Sequence, residues 1–399
     1  MFFRSLHSLT RKALLIIFLA AVGIRVFYAL ETPQEINNVT GAIHPRKDEY
    51  SHFKYCLYLI EQKKLPVNSS IRNLDDPIAW ILQEFEYAQP PLYYLLNVPF
   101  ALLPNPLIAC RLFSVLLSSL TLCLAVSCAV TAFKRKDLCA VATMVALGFH
   151  PVFVRIGSSV SNDNLAWLLS AFQFRLLLND ASQSRNIAYG VLTGLGMLTK
   201  ISFLVWPLFF VFRTVVPHFR QEHFIRRLKG LALLLTVSTA ISGWYLIRNQ
   251  MNYSDWSGAI GVLGPPQALL SSGSSYWLEY FVHSIVRFSL FPIAEENVIF
   301  LPLIEAILLF FVISVLLQSG RLRESFNNAR FFSDCLAFCL INLFLFLIAN
   351  LYWDFSETRL FLIAIVPLSL ICIAALETNF AWASLPVIVM INSIYYLTI

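Results

Sequence analysis

The chain has 399 residues, of which 58% are hydrophobic and only 13% charged, and its mean hydropathy is +0.69. A soluble domain carries about a quarter charged residues, so the polar surface needed to cover a water-soluble particle of this length is missing. The net charge of +6 would suit a nucleic-acid binder, but the basic residues lie between apolar blocks, where membrane topology accounts for them. No nucleic-acid partner is expected.

The apolar blocks have bilayer-spanning length, roughly 17 to 25 residues. They predict spans near 13–31, 107–131, 139–156, 164–178, 187–199, 201–216, 230–247, 299–318, 332–350, 359–376 and 383–399. The N-terminus, with Arg4, Arg11 and Lys12 before an apolar run, has the charge pattern of a signal peptide. No small-residue cleavage site follows, so it is read as a retained first span. With a cytoplasmic N-terminus, the cytoplasmic segments are 1–12, 132–138, 179–186, 217–229, 319–330 and 377–382. Counting Arg213, they hold 15 of the 29 Lys and Arg but only 5 of the 23 Asp and Glu. The first outer loop, 31–106, holds 6 basic and 9 acidic residues. That asymmetry is what the positive-inside rule requires. Pro90–Leu103 is apolar but short and punctuated by proline, which fits an interfacial helix lying on the outer face. The second large outer loop is 248–298. Of the eight cysteines, most fall within or beside apolar blocks. Cys56 and Cys110 are the two outer-side candidates, and nothing in the sequence pairs them.

In chain order, the first polar cluster is His44 to His52. Asp48 and His52 stand four apart, so a helix sets them on one face with Glu49 beside them. A carboxylate partly desolvated at a bilayer surface suits a general base, and a helix N-terminus enriched in acids explains the same residues equally well. The next cluster runs from Glu86 through Gln89, Pro90 and Pro91 to Tyr93 and Tyr94, where a helix start in an aromatic belt is the plain alternative. Ser161, Asn162, Asp163 and Asn164 stand at the outer start of a span, as a helix cap would. Three cations, Lys200, Arg248 (followed by Asn249) and Arg359, sit at outer span ends. Charges at membrane depth point to function, while snorkelling to headgroups accounts for any one of them. Together with the carboxylates they suggest a site for an anionic lipid.

Asp48-Glu49 with His52, the Leu65-Pro66-Val67 loop and Gln89-Pro90-Pro91-Leu92-Tyr93-Tyr94 resemble the GT-C glycosyltransferases. The likeness is greatest to the protein-mannosyltransferase and aminoarabinose-transferase-like branch. It continues through Arg111-Leu112-Phe113-Ser114, Ser161 to Asn164, Gly194 to Lys200, Gly243 to Asn249 and Arg359 to Pro367. The fold expected is an all-α polytopic membrane protein, a GT-C-type bundle of about 11 transmembrane helices with interfacial helices in the first outer loop, forming one domain over 1–399. Gln89 departs from relatives that carry His or Lys before the prolines, and the large soluble C-terminal domain is lacking.

The resemblance implies inverting sugar transfer from a polyprenyl-phosphate-linked donor to an acceptor hydroxyl on a glycan, lipid or protein at the non-cytoplasmic face. Asp48 would be the base, Glu49 its partner and Asp163 the second acidic position. Lys200, Arg248 and Arg359 would hold the donor phosphate, with His52, Gln89, Tyr93, Tyr94, Asn162 and Asn249 contacting substrate. The residues name no cofactor, and dependence on a divalent cation, with Asp48, Glu49 and His52 as candidate ligands, is left open. The expected setting is a bacterial plasma membrane with its lipids as surroundings, with the endoplasmic reticulum left open as the alternative. A transporter or lipid flippase is the main alternative, kept by Arg25, Arg155 and Arg175 inside apolar blocks. A non-catalytic assembly partner is a third.

Overall fold

The computed structural model describes residues 5–32, 49–67, 85–179, 183–216, 224–258, 319–352 and 363–377. The expected spans at 299–318 and 383–399 therefore lie outside the described residues. Thirteen α-helices are described. They are α1 (Ser8–Glu31), α2 (Glu49–Gln62), α3 (Leu92–Ala101), α4 (Pro106–Ala132), α5 (Lys136–Gly148), α6 (Pro151–Gly157), α7 (Asp163–Leu177), α8 (Gln183–Met197), α9 (Val205–Val215), α10 (Phe224–Tyr253), α11 (Ser319–Ser325), α12 (Ala329–Tyr352) and α13 (Ile365–Glu377). Short 3-10 turns fill Phe85–Ala88 and Ile201–Leu204. Among the described residues there is no strand, only one isolated bridge between Phe133 and Phe326. The class is all-α.

Three of the described helices, α1, α4 and α10, are long and apolar enough to cross a membrane. At 1.5 Å per residue, their 24, 27 and 30 residues exceed the roughly 30 Å of a hydrocarbon core. Only 22% of the apolar window of α1 and of α10 is buried, against 72% for α4. Leu15, Ile16 and Leu19 of α1 and Trp244 and Ile247 of α10 stand exposed. Apolar surface on that scale calls for a non-aqueous neighbour. One expected span, 139–156, is divided into α5 and α6. Pro151 opens the second helix and disfavours helical backbone at His150, so the chain breaks at Phe149–His150. Pro90–Leu103 forms the ten-residue α3, too short to span.

The chain divides into two compact units. One comprises Met1–Ala21, Leu122–Val154 and Gln267–Ile399. Within it α13 packs on α5, α11 and α12. Three segments expected to be cytoplasmic meet there. The His7 backbone N–H donates to Asp137 at 2.9 Å, which holds that carboxyl below the ordinary carboxylate range with help from Thr10. Lys134 N–H donates to the Ser325 carbonyl at 3.1 Å, and Asn327 N–H to Ala132 at 2.7 Å. Phe133 and Phe326 pack beside these bonds, their rings tilted and their centroids 4.5 Å apart.

The other unit comprises Val22–Thr121 and Arg155–Pro266. Its most extensive helix pair is α8 against α10. Glycine makes that approach feasible, as it does between helices in lipid. A Cβ at Gly190 would stand 2.7 Å from the Leu234 carbonyl oxygen, and one at Gly194 would stand 2.8 Å from the Ile241 Cβ. Further along α8 the Phe203 ring lies over Gly196, where a Cβ would come within 2.1 Å. An aromatic core of Phe174, Phe203, Trp206, Phe209 and Phe210 fills the space between α7 and α9. By contrast, a Cβ at Gly23 meets nothing within 4 Å.

Gly190→Val is accordingly expected to destabilise the protein by about 1–3 kcal/mol, the usual cost of overpacking, while Gly23→Ala is neutral. Thermal unfolding of the two variants in detergent checks this, and equal melting temperatures would contradict the close α8–α10 contact.

Candidate functional site

Glu49 is the first residue of α2, where a carboxylate favours the helix dipole. Its side chain does more than that. Arg111, in the second turn of α4, grips it with two parallel bonds, Nε to Oε1 at 2.8 Å and Nη2 to Oε2 at 2.6 Å. The Val160 backbone N–H donates to the same Oε1 at 2.9 Å. The remaining Arg111 nitrogen, Nη1, donates to the carbonyls of Ala29 at 3.1 Å and Thr32 at 2.8 Å, where α1 ends. Arg111 is 2% and Glu49 5% exposed. One ion pair thus fixes the end of α1, the start of α2, the start of α4 and the turn before α7. The carboxylate carries three donated hydrogen bonds, which suits a positioning residue.

That turn is held a second time by Tyr93 of α3. The Ser161 N–H donates to its hydroxyl at 2.9 Å, and the hydroxyl shares a 2.7 Å hydrogen bond with Ser114 of α4. Ser161 in turn donates from Oγ to Asp163 Oδ2 at 3.2 Å. In the Ser161 to Asn164 run, Ser161 Oγ accepts from the Asp163 N–H at the start of α7, while Asn162 makes no side-chain capping bond. Its side chains reach outward from the helix start. Asn162 Nδ2 donates to the Thr199 carbonyl at 3.1 Å and to Gln89 Oε1 at 3.3 Å. Asn164 Nδ2 donates to the carbonyls of Ile156, Ser159 and Ser161.

Lys200 stands where α8 has ended and the chain is extended before the Ile201–Leu204 turn. Its Nζ lies 2.5 Å from Asp163 Oδ1, and both groups are buried. The positive charge of Lys200 is therefore neutralised by Asp163, not held out toward headgroups as snorkelling would have it. Leu92 N–H donates to the Leu198 carbonyl at 2.8 Å, which brings the α3 start against the same break.

Beside these pairs lies an aromatic cluster. His52 Nδ1 and the Tyr94 hydroxyl share a 2.7 Å hydrogen bond. Tyr94 stacks on Tyr55 with ring centroids 3.9 Å apart, and Tyr55 meets Tyr87 edge-on at 5.7 Å. Burial, with the nearby charge of Lys200, pushes the His52 imidazole down to about 3, so it is neutral at physiological pH. Tyr245 of α10 donates to the Ala88 carbonyl at 2.6 Å. Arg248, one turn on, lies over the Tyr245 ring and donates through Nη2 to the Pro66 carbonyl. Its Nη1 has no hydrogen-bond partner, and neither has Asn249 Oδ1, although both are buried.

Of the residues picked out in the sequence, Glu49, Gln89, Tyr93, Asn162, Asp163 and Lys200 are joined by hydrogen bonds at the 160–164 turn, and His52 and Tyr94 reach the same cluster through the Tyr55 ring. Arg248 and Asn249 flank it on α10. Asp48 and Arg359 lie outside the described residues. Both oxygens of Glu49 are bound by Arg111, and His52 Nδ1 by Tyr94. Among the described residues no group of three His, Cys, Asp or Glu converges. Arg111, Ser114 and Tyr245 carry more of the network than their sequence context suggested. For Arg111 the signal was an arginine placed early in a span that otherwise tolerates no charge.

Removing one member of a buried ion pair leaves the other charged and unpaired, at about 3–5 kcal/mol. Glu49→Ala and Arg111→Met should each lower the melting temperature sharply, and the double variant should lose much less than the sum. Additive losses in that thermal-melting cycle would contradict the coupling.

No protein-family model matches the chain, and no curated protein or solved structure matches it.

Proposed function

We propose that this chain is a membrane glycosyltransferase of the GT-C type. In this reading it transfers a sugar from a polyprenyl-phosphate donor to an acceptor hydroxyl, with inversion, at the non-cytoplasmic face of a bacterial plasma membrane. The observation that carries the reading is the meeting of separated sequence landmarks. Residues 49–52, 89–94, 161–164 and 198–200 are far apart in the chain, yet they meet through side-chain and backbone hydrogen bonds, an ion pair and a ring stack. The GT-C resemblance rests on the same segments in the same order. The remaining spans of the expected eleven belong to this proposal, as do the orientation and the membrane. The meeting of segments 1–12, 132–138 and 319–330 in one unit supports the assigned sides.

Asp48 immediately precedes Glu49. With Glu49 held by Arg111, the start of α2 is fixed, and the Asp48 carboxylate is the neighbouring acid left to act. It accepts the proton of the acceptor hydroxyl as that oxygen attacks the anomeric carbon from the face opposite the lipid phosphate. The bond from the anomeric carbon to the phosphate oxygen breaks, and lipid phosphate leaves as an anion. Nearby cations stabilise that anion more than the bound donor, which is how preorganised charge accelerates a step. Lys200 supplies one such charge when the phosphate competes with Asp163 for it. Arg248 supplies another through its unpartnered Nη1. No step here passes through a metal.

Arg25 is completely buried within the apolar stretch of α1, and this favours transport as a second reading. Uptake or lipid flipping by proteoliposomes, set beside sugar transfer, separates the two.

Asp48→Asn should lower transfer by about 10²–10⁴-fold, the range for a general base, with unchanged protein in the membrane and unchanged melting. Transfer from radiolabelled polyprenyl-phosphate sugars measures the first and detergent unfolding the second. Full activity in that variant would remove Asp48 from the chemistry.

A further inference from the structure

α8 and α10 pack along a glycine-lined seam, and the pairs along it fix their direction. Asn186 of α8 meets Gly230 of α10, where a Cβ would stand 2.5 Å from Asn186 Nδ2. Gly190 then meets Leu234 and Gly194 meets Ile241, so the residue numbers rise together and the helices run parallel. Their starts therefore lie at one end of the seam. Arg185 stands there on α8, and Arg226, Arg227 and Lys229 stand there on α10. Arg226 and Arg227 precede Gly230 by four and three positions, which puts them on the seam face of α10, one turn nearer its start.

Neither helix carries an acidic residue in its first turn. Among the described residues, no hydrogen bond or ion pair engages the charged end of any of these cations. Arg185 Nη1 is moreover buried with no hydrogen-bond partner. Topology asks for basic residues on this side of a membrane, but not for their seating in the first turns of two packed helices. There the dipole disfavours a cation, and the like charges repel one another. Exposed apolar side chains stand among them, Ile187 close to Arg185 on α8 and Ile225 and Leu228 beside the α10 cations. A ligand that fits this end carries an anion and an apolar body together.

We propose that the paired starts of α8 and α10 form a binding site for the phosphodiester headgroup of an anionic phospholipid. Arg185, Arg226, Arg227 and Lys229 hold the phosphate, and the acyl chains run over Ile187, Ile225 and Leu228. Clusters of arginine and lysine at the membrane end of a helix bind acidic headgroups in this way, and the arginine fork suits phosphate oxygens. The headgroup neutralises the repulsion between the two helix starts, so its binding tightens the seam that Gly190 and Gly194 allow. The site lies at the opposite end of α8 from Lys200 and does not rest on sugar transfer. The assigned orientation makes its leaflet the cytoplasmic one.

The test follows the melting temperature of the full-length protein in neutral detergent as phosphatidylglycerol or phosphatidylcholine is added to the micelles. Phosphatidylglycerol is expected to raise it saturably, and phosphatidylcholine to leave it unmoved. Each cation removed is expected to raise the half-saturating phosphatidylglycerol content about fivefold, so Arg185→Gln shifts it by that factor and the triple variant Arg226→Gln/Arg227→Gln/Lys229→Gln by roughly a hundredfold. A charge-matched control, Lys134→Gln/Arg135→Gln/Lys136→Gln, lies in the other unit and is expected to titrate as the wild type does. Where the triple variant does not fold, Arg185→Gln decides. An unshifted Arg185→Gln titration would overturn the proposal, and so would an equal shift in the control or equal stabilisation by both lipids. The same gain from inorganic phosphate would overturn the lipid as occupant.

Discussion

The buried pair of Glu49 and Arg111 is the constraint on which the rest of this unit depends. Arginine offers five donors in a rigid fork, and here each nitrogen of the guanidinium has a partner. Two clamp the carboxylate and the third holds the end of α1. Such a pair gives little net stability against an apolar substitute, because both charges lose their water. What it does give is register. With the start of α2 pinned to α4, helical spacing sets His52 and Tyr55 on neighbouring turns of α2, and Tyr94 of α3 packs against both. The Val160 N–H bonded to the same carboxylate then carries the constraint to the turn that positions Asp163.

A second ion pair, Asp163 with Lys200, works differently. It joins the start of α7 to a place where helical structure has stopped. The chain is extended at Lys200, and Asn162 meets the freed Thr199 carbonyl with a side-chain amide. A broken helix within an apolar region leaves backbone groups that must be bonded internally, and the Ser161 to Asn164 run does this while presenting a carboxylate to the lysine. A charge pair that a phosphate could exchange is a more useful feature at a substrate site than a clamp with every donor engaged. The division between Glu49 as anchor and Asp163 as exchangeable partner reflects that difference.

Much of the helical content was legible from apolar block lengths, because period and hydropathy are local properties. The break at Lys200 and the short α3 followed from a lysine flanked by apolar runs and from prolines at 90 and 91. The division of 139–156 followed from Pro151 only in hindsight, since one proline in a span is often absorbed as a kink. The gathering of the polar segments was foreseeable from topology, but their pairing was not. Glu49 and Arg111 are separated by 62 positions, and no spacing rule links residues on helices whose contact depends on tertiary packing. Glu49 was read from its place beside Asp48, and its bond to Arg111 was not legible there. Asn162 read as a cap for the same reason: the composition of a cap and of a cross-helix bridge is identical, and only the neighbours differ.

The central claim is that the network around α2 serves sugar transfer onto an envelope glycan. Mass spectrometry of envelope glycans from cells lacking this chain tests it most directly, with complementation by the wild type and by Asp48→Asn. The account predicts glycans short of one sugar, restored by the wild type and not by the variant. Identical glycans in the presence and absence of the chain, or restoration by Asp48→Asn, would contradict it.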